Sequence, residues 1–306
     1  MTTTAVVGAG LLGRAVLDRL GPGAEPVAGV PWDRPLDARR LLQETGARIS
    51  SEPGWRLAWC AGAGVVGATD EAMHEELETF VALLEGLRQG GAPGRLFVAS
   101  SAGGVHAAGH HRTITEDDEP SPRSPYGRGK LAVEQAARAW ALATGHPVLV
   151  GRIANLYGPG QALAKGSGFL SQACVRALRS EAILVRVPLE TTRDYIHADD
   201  VAARVVAWLD DDDPEVRTKL LVSGTSTTLA RAAAVVRAVG RRRTLLVHVA
   251  DPQAWQQPRY ARFRSVVRPD LDHRFPARPL EVGVVELFAH LRAELVRSGR
   301  EAPARG

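Results

Sequence analysis

The sequence predicts an α/β protein built on a doubly wound parallel sheet, with a smaller domain appended towards the C-terminus. Three observations predict it. Short apolar runs rich in β-branched residues alternate with stretches of helical periodicity through the first half of the chain. A glycine turn, Gly8-Ala9-Gly10-Leu11-Leu12-Gly13, joins the first apolar run to the first helical stretch. Beyond Gly160 the alternation weakens.

The elements follow in order. Thr4-Ala5-Val6-Val7 reads as a strand that stops at Gly8, and Leu12, Val16 and Leu20 then recur on one helical face until Gly21-Pro22-Gly23 ends the helix. Val27-Ala28-Gly29-Val30, Leu57-Ala58-Trp59-Cys60 and Arg95-Leu96-Phe97-Val98-Ala99 read as further strands. Amphipathic helices are expected over 71–89 and 129–144. Val148-Leu149-Val150-Gly151-Arg152 is another strand, leading into the turn-rich Asn155-Leu156-Tyr157-Gly158-Pro159-Gly160. The first domain is placed over 1–155 plus 191–222 and the second over 156–190 plus 223–306. The acidic run Asp210-Asp211-Asp212-Asp213-Pro214 reads as a solvated loop after a helix.

Composition excludes several classes. With 306 residues, 45% apolar and 24% charged, the chain is neither disordered nor fibrous and can bury a sizeable core. No apolar run approaches the ~18 residues that a membrane span needs. The N-terminus lacks a basic region before its first apolar run, so no signal peptide and a cytoplasmic location are expected. Cys60 and Cys174 lie far apart, without disulfide-framework or metal-ligand spacing, and read as reduced, buried, small apolar residues. A net charge of +4 invites a nucleic-acid reading, but the basic residues are dispersed, without a block of interleaved aromatics. A small anionic ligand fits better.

Three segments carry chemistry. In the glycine turn, backbone N–H groups and a helix N-terminus face outward, as a dinucleotide pyrophosphate requires. About 20 residues on stand Asp33, which suits a ribose 2′-hydroxyl and so NAD, and Arg34, which suits a 2′-phosphate and so NADP. Second, Tyr126 and Lys130 stand four residues apart at a helix start, hence on one face. A phenol is a poor base at neutral pH, and a neighbouring ammonium favours its ionised form, making Tyr126 a usable acid/base. Lysine fills only three of the chain's 38 basic positions, so its presence here is pointed. Third, Ser100 and Ser101 end a strand where open parallel sheets bind ligands. His106, His110 and His111 share one loop without a nearby Cys or acidic ligand, and read as a polar loop at the mouth of the site rather than a metal centre.

Together with Arg152-Ile153-Ala154-Asn155-Leu156-Tyr157-Gly158-Pro159-Gly160-Gln161 and Arg193-Asp194-Tyr195-Ile196-His197-Ala198-Asp199-Asp200-Val201, these motifs resemble the extended short-chain dehydrogenase/reductase family, specifically its NAD-dependent epimerase/dehydratase branch. They span residues 8 to 201 in the family's order, while the last hundred residues match loosely. The resemblance implies a Rossmann domain and a smaller substrate domain. It implies Tyr126 as the group that moves a sugar hydroxyl proton, Lys130 as the holder of the nicotinamide ribose and Ser101 as the hydroxyl on the reacting oxygen. It further implies a cofactor site of Gly8, Gly10, Leu11, Leu12, Gly13, Asp33, Arg34, Cys60, Ala61, Gly62, Ala99, Tyr126, Lys130 and Ile153. Asn155, Arg193 and Arg264 join Ser101 on the substrate side, Arg264 coming from the arginines at 259, 262, 264 and 268 that fall where the family closes its pocket.

Departures from the pattern are informative. Val105-His106-Ala107 stands where the family has Val-Tyr-Gly, and counting back from Val105 brings Ala102 into competition with Ser101 for the hydroxyl slot. Small residues replace the Asp-Glu pair of the sugar 4,6-dehydratases, arguing against water elimination. Only residues 31–56 separate the second-strand region from Leu57, so the third strand and its adenine-binding wall are expected to be abbreviated. The resulting expectation is a nucleotide-sugar epimerase acting at C4 with NAD (NADP being the alternative), dimeric through the helices around 71–89 and 129–144, with no metal, nucleic acid or membrane partner. An NADPH-dependent nucleotide-sugar keto-reductase and a non-catalytic dinucleotide-binding protein are the alternatives.

Overall fold

The computed structural model describes residues 3–62, 67–108, 112–162, 168–241, 243–251, 254 and 258–299. Its centre is a six-stranded parallel sheet of β1 (Thr4–Val7), β2 (Ala24–Val27), β3 (Trp55–Trp59), β4 (Gly94–Ser101), β5 (Val148–Ile153) and β9 (Val216–Leu221), in the order β2-β1-β3-β4-β5-β9. The chain runs outward from β1 to β2, then crosses to β3 on β1's other side. That reversal creates a crevice at the carboxyl ends of β1 and β3, where ligands of doubly wound sheets bind.

Both sheet faces are covered, which explains why β1 and β5 are buried at every position. On one face α2 (Pro35–Ile49), α3 (Asp70–Gly90) and α5 (Pro125–Thr144) bury Leu42, Phe80, Leu83 and Ala137 against Trp55 and Trp59. On the other, α1 (Leu11–Leu20) and α7 (Ala198–Leu209) bury Val16, Val201 and Trp208 against Phe97 and Leu149. Each large side chain so buried contributes about 1.5–3 kcal/mol.

A third core unites α6 (Phe169–Leu178), α8 (Leu229–Gly240) and α10 (Leu280–Arg297) through Cys174, Val236 and Leu287. It adjoins a three-stranded sheet of β6 (Asn155–Tyr157), β8 (Thr192–His197) and β10 (Ser226–Thr228), in the order β10-β8-β6; β7 (Ile183–Val185) pairs with β11 (Leu246–His248). The remaining short helices are α4 (Ala102–Val105) and α9 (Pro269–Arg274).

Several expectations are corrected. The second strand lies at Ala24–Val27 rather than 27–30, because Gly29 takes a left-handed φ of 69° that ends it. Its Pro26 pairs with Val6 and is tolerated because β2 is the sheet's edge. No strand of the described residues lies outside β2: the abbreviated stretch is filled by α2 alone. The helix expected over 129–144 begins four residues earlier, capped by the Ser124 hydroxyl, which accepts from Gly127 N at 3.1 Å, with Pro125 in its first turn. The acidic run is not simply solvated. Arg268 binds Asp211 at 2.5 Å and Asp213 at 3.2 Å, and Arg56 binds Asp210. Cys174 is buried as expected but Cys60 is only partly so; neither is in a disulfide, and burial pushes both thiols up to about 12, keeping them neutral.

Candidate active site

The glycine turn meets the crevice with three different geometries. Gly8 has a φ of 96°, and a Cβ there would lie 2.5 Å from the Ala61 backbone, so the end of β1 presses directly on the chain leaving β3. At Gly13 a Cβ would lie 1.8 Å from the Gly8 carbonyl oxygen, so α1 packs against the strand end without room for a side chain. At Gly10, the N-cap of α1, a Cβ would meet nothing within 4 Å. One glycine makes the turn, one closes the helix on the strand, and one leaves open space before the N–H groups of Leu11 and Leu12. These are the three requirements of a pyrophosphate cradle, and the residues fit a dinucleotide.

Next to it lie the side chains expected to act. Lys130, one turn beyond Tyr126 on α5, places its ammonium 5.9 Å from the centre of the Tyr126 ring. The same ammonium packs on Gly62, where a Cβ would lie 2.8 Å from Nζ. Ala61 and Gly62 thus link the cradle to the Tyr126–Lys130 pair. Ser101, the last residue of β4, caps α4 by accepting from Gly104 N at 3.1 Å, which leaves its own proton for another acceptor. A Cβ on Gly104 would lie 2.9 Å from Tyr126 Cε1 and 3.2 Å from Ser101 Oγ, so ring and hydroxyl converge over that glycine. Ala102, the competing position, is fully buried in an apolar cluster with Ile114 and Phe263. Ala99 and Ile153 stand near the ends of β4 and β5, opposite Gly151 and Ser101.

The sequence reading missed Glu76. On α3, it accepts from Lys130 Nζ at 2.6 Å, and the two side chains are 5% and 7% exposed. Burial alone would lower the Lys130 ammonium, but Glu76 and then Tyr126 raise it, and the balance lies above its ordinary value. A second buried ion pair lies beneath. Arg152 donates to Glu134 from Nε at 3.0 and 3.1 Å and from Nη2 at 2.7 Å; Ser100 donates to Glu134 at 2.5 Å. His106 is not at a loop mouth but buried, its Nε2 accepting from Arg152 at 2.9 Å; burial and then Arg152 push it down to about 4, so it is neutral. His110 and His111 lie outside the described residues. The available signal was position: Glu76 shares the buried stripe of α3 with Met73 and Phe80, where a carboxylate needs a partner.

The remaining expected residues are more dispersed. Asp33 and Arg34 lie beyond the end of β2, both exposed, with Arg34 paired to Asp37 at 2.9 Å. Trp32, 48% exposed, stands edge-on to Trp59 beside them. Asn155 is exposed at the start of β6. Arg193 is buried, its Nη1 donating to the carbonyls of Thr192 at 2.9 Å and Pro258 at 2.7 Å. Arg264 is exposed and its backbone N–H donates to Ile114 O at 2.9 Å, fixing this segment beside the apolar cluster behind Ser101. His197, Asp199 and Glu286 could together face one cation, but Arg278 already binds Glu286 and Asp200 and lies 3.6 Å from Asp199.

Residues 58–221 match the model of the NAD dependent epimerase/dehydratase family. The dTDP-L-rhamnose 4-epimerase of Burkholderia thailandensis is 36% identical over 124 residues, covering 39% of this chain and 33% of that protein. The GDP-6-deoxy-D-mannose reductase of Pseudomonas aeruginosa is 32% identical over 134 residues, covering 42% of this chain and 43% of that protein. The chain thus aligns with well under two thirds of either relative's length. The fold is shared with the UDP-glucose 4-epimerase of Thermotoga maritima solved with UDP-glucose: TM-score 0.81 at 20% identity, covering 96% of this chain and 100% of that one.

Proposed function

The chain belongs to the NAD-dependent epimerase/dehydratase family, and on that premise we propose that it is an NAD(P)-dependent enzyme that inverts C4 of a nucleotide-diphosphate sugar. The convergence of Ser101 Oγ and the Tyr126 ring over Gly104, with the Lys130 ammonium at Gly62 on the cradle side, is the observation that carries this reading. The cradle of Gly8, Gly10 and Gly13, continued by Leu11, Leu12, Cys60, Ala61 and Gly62, would hold the dinucleotide, with Ala99 and Ile153 flanking its nicotinamide end. Asp33 and Arg34 are the residues for its adenosine ribose. When bound, the nicotinamide supplies a hydride acceptor and donor at the sugar carbon. The chain supplies the proton chemistry: Tyr126 takes the proton of the 4-hydroxyl and returns it, Ser101 donates a hydrogen bond to the same oxygen, and Lys130 orients the ribose and stabilises Tyr126 when it is ionised. Asn155, Arg193 and Arg264 are the candidates for the substrate's diphosphate side, an arginine fork being suited to phosphate.

A keto-reductase using NADPH is the second reading, favoured by the exposed guanidinium of Arg34 and the similarity to a GDP-6-deoxy-D-mannose reductase. One experiment separates the two: denature the purified protein, identify any released dinucleotide by mass spectrometry, then follow UDP-, dTDP- and GDP-sugars by NMR. Retained NAD with inversion at C4 supports the epimerase; an empty protein that consumes NADPH mole for mole with a keto sugar supports the reductase. Tight dinucleotide binding with no turnover of any sugar would sink both. We propose a homodimer through α3 and α5, where Leu142 stands 82% exposed; a single-protomer mass in light scattering would overturn it. Among the described residues, no helix is long and apolar enough to cross a membrane.

A further inference from the structure

Among the described residues, Trp55, Trp59, Trp140 and Trp208 are buried, and Trp32 is the one exposed tryptophan. A single exposed aromatic says little by itself. Footing and place set Trp32 apart. Its backbone N–H donates to Val30 O at 3.0 Å, Arg34 N donates to Pro31 O at 2.9 Å, and α2 starts at Pro35, so the side chain leaves from a tight turn held between Gly29 and a helix. Its ring stands at 74° to that of Trp59 with centroids 6.3 Å apart, and the Trp59 ring lies 5.0 Å from Phe80 in the core. The exposed indole is thus braced from beneath.

Trp59 is the last residue of β3, and the chain leaving it is Cys60-Ala61-Gly62, on which Gly8 of the cradle presses. Trp32 follows β2 and Ser101 ends β4, so in the strand order β2-β1-β3-β4 they stand to either side of the crevice. A dinucleotide whose pyrophosphate lies before Gly10 and whose nicotinamide lies towards Ser101 directs its adenosine towards β2. No strand of the described residues lies outside β2, and α2 begins just beyond the turn. The flat apolar surface present there is the Trp32 ring. We propose that Trp32 is the platform on which the adenine of the dinucleotide stacks, the indole standing in for the wall that the abbreviated stretch lacks. This rests on the reading of the crevice as a dinucleotide site. Asp33 and Arg34, the next two residues, then meet the ribose that adjoins the base. Leu36, 77% exposed, would give the ring a different use, an apolar contact with another chain, and the two uses differ in what a ligand loses when the ring is removed.

The test is calorimetric titration of the purified full-length chain, freed of any copurified dinucleotide on charcoal, with NAD, with NADP and with nicotinamide mononucleotide, which lacks the adenosine. Trp32→Ala should weaken NAD and NADP alike by about tenfold or more, the scale of base–aromatic stacking, and leave nicotinamide mononucleotide within about twofold of the parent. Trp32→Phe, which keeps a ring, should recover most of the loss. If Trp32→Ala does not fold, Trp32→Leu keeps an apolar contact for Trp59 without a π face and should show the same selective loss. NAD affinity unchanged in Trp32→Ala or Trp32→Leu, as a ring that serves only to meet another chain would give, overturns the proposal. An equal loss for nicotinamide mononucleotide overturns it too, since the change then acts on the crevice as a whole. A loss confined to NADP does the same, placing the effect on Arg34 and the 2′-phosphate. A parent chain that binds no dinucleotide refutes the reading of the crevice and this proposal with it, whereas one that binds NAD and turns over no nucleotide sugar refutes the proposed activity and leaves the titration result standing.

Discussion

Glu134 grips Arg152 from one helical turn beyond Lys130, receiving both Nε and Nη2 in a pair whose side chains are 1% and 4% exposed. A buried pair of this kind costs most when half of it is removed. Arg152→Met should therefore destabilise the protein by about 3–5 kcal/mol in urea unfolding, while Arg152→Met/Glu134→Met should recover most of that loss. Equal instability of the single and double variants would show that the pair's charges are not what the single change exposes.

The glycines of the cradle should separate folding from binding. Gly10→Ala meets open space, and its N-cap backbone is extended, so the melting temperature should hold while affinity for the dinucleotide falls at least about tenfold. Gly13→Ala drives a methyl onto the Gly8 carbonyl oxygen and should lower stability by about 2 kcal/mol or more before any ligand is added. Thermal melts and NADH fluorescence titrations of both variants check this; equal effects of the two on stability would contradict it.

His106 makes stability pH-dependent. Its ordinary value is 6.5, and the folded protein holds it near 4, so the unfolded chain binds more protons between those limits. Stability from this group is fully present above pH 6.5 and declines as pH falls towards 4, by about 3 kcal/mol in total. His106→Gln, which can still accept from Arg152, should show a visibly flatter decline over that window. The slopes of ΔG against pH are the quantity to compare, since both proteins lose other contributions in acid.

Tyr126→Phe keeps the ring over Gly104 and removes only the hydroxyl. Turnover of the proposed sugar substrate should fall by about 100- to 10,000-fold, with dinucleotide binding and melting temperature essentially retained. Near-normal turnover would remove Tyr126 from its assigned role.

What the sequence disclosed depended on how local the chemistry was. The glycine turn is a contiguous stretch, and so is Ser124-Pro125-Tyr126-Gly127-Arg128-Gly129-Lys130, which carries a serine cap and a first-turn proline along with the candidate pair Tyr126 and Lys130. Long-range partners were hidden. Glu76 and Lys130 are 54 residues apart, and nothing near either one announces the other. Position 106 reads as an ordinary loop histidine until β5 brings Arg152 beneath it. Helix α2, which no sequence expectation covered, carries Gly46 in its interior. In the fold, Gly46 lets α2 approach α3 so closely that a Cβ would lie 2.6 Å from Leu83 O, and Gly86 answers it with 2.1 Å to Gln43 O. The second strand, expected at Val27–Val30, lies three residues earlier and includes Pro26, which only an edge strand tolerates.

That edge has a consequence of its own. With no strand outside β2 among the described residues, the large sheet ends there in open backbone, the kind of border along which unrelated chains stack and aggregate. Pro26 offers no N–H there, and Gly29 turns the chain away just beyond Val27, so an incoming strand would find a ladder missing a rung and too short to climb. The abbreviated fold thus carries its own guard against self-templating, and replacing Pro26 with valine should make the folded protein stickier without altering its site.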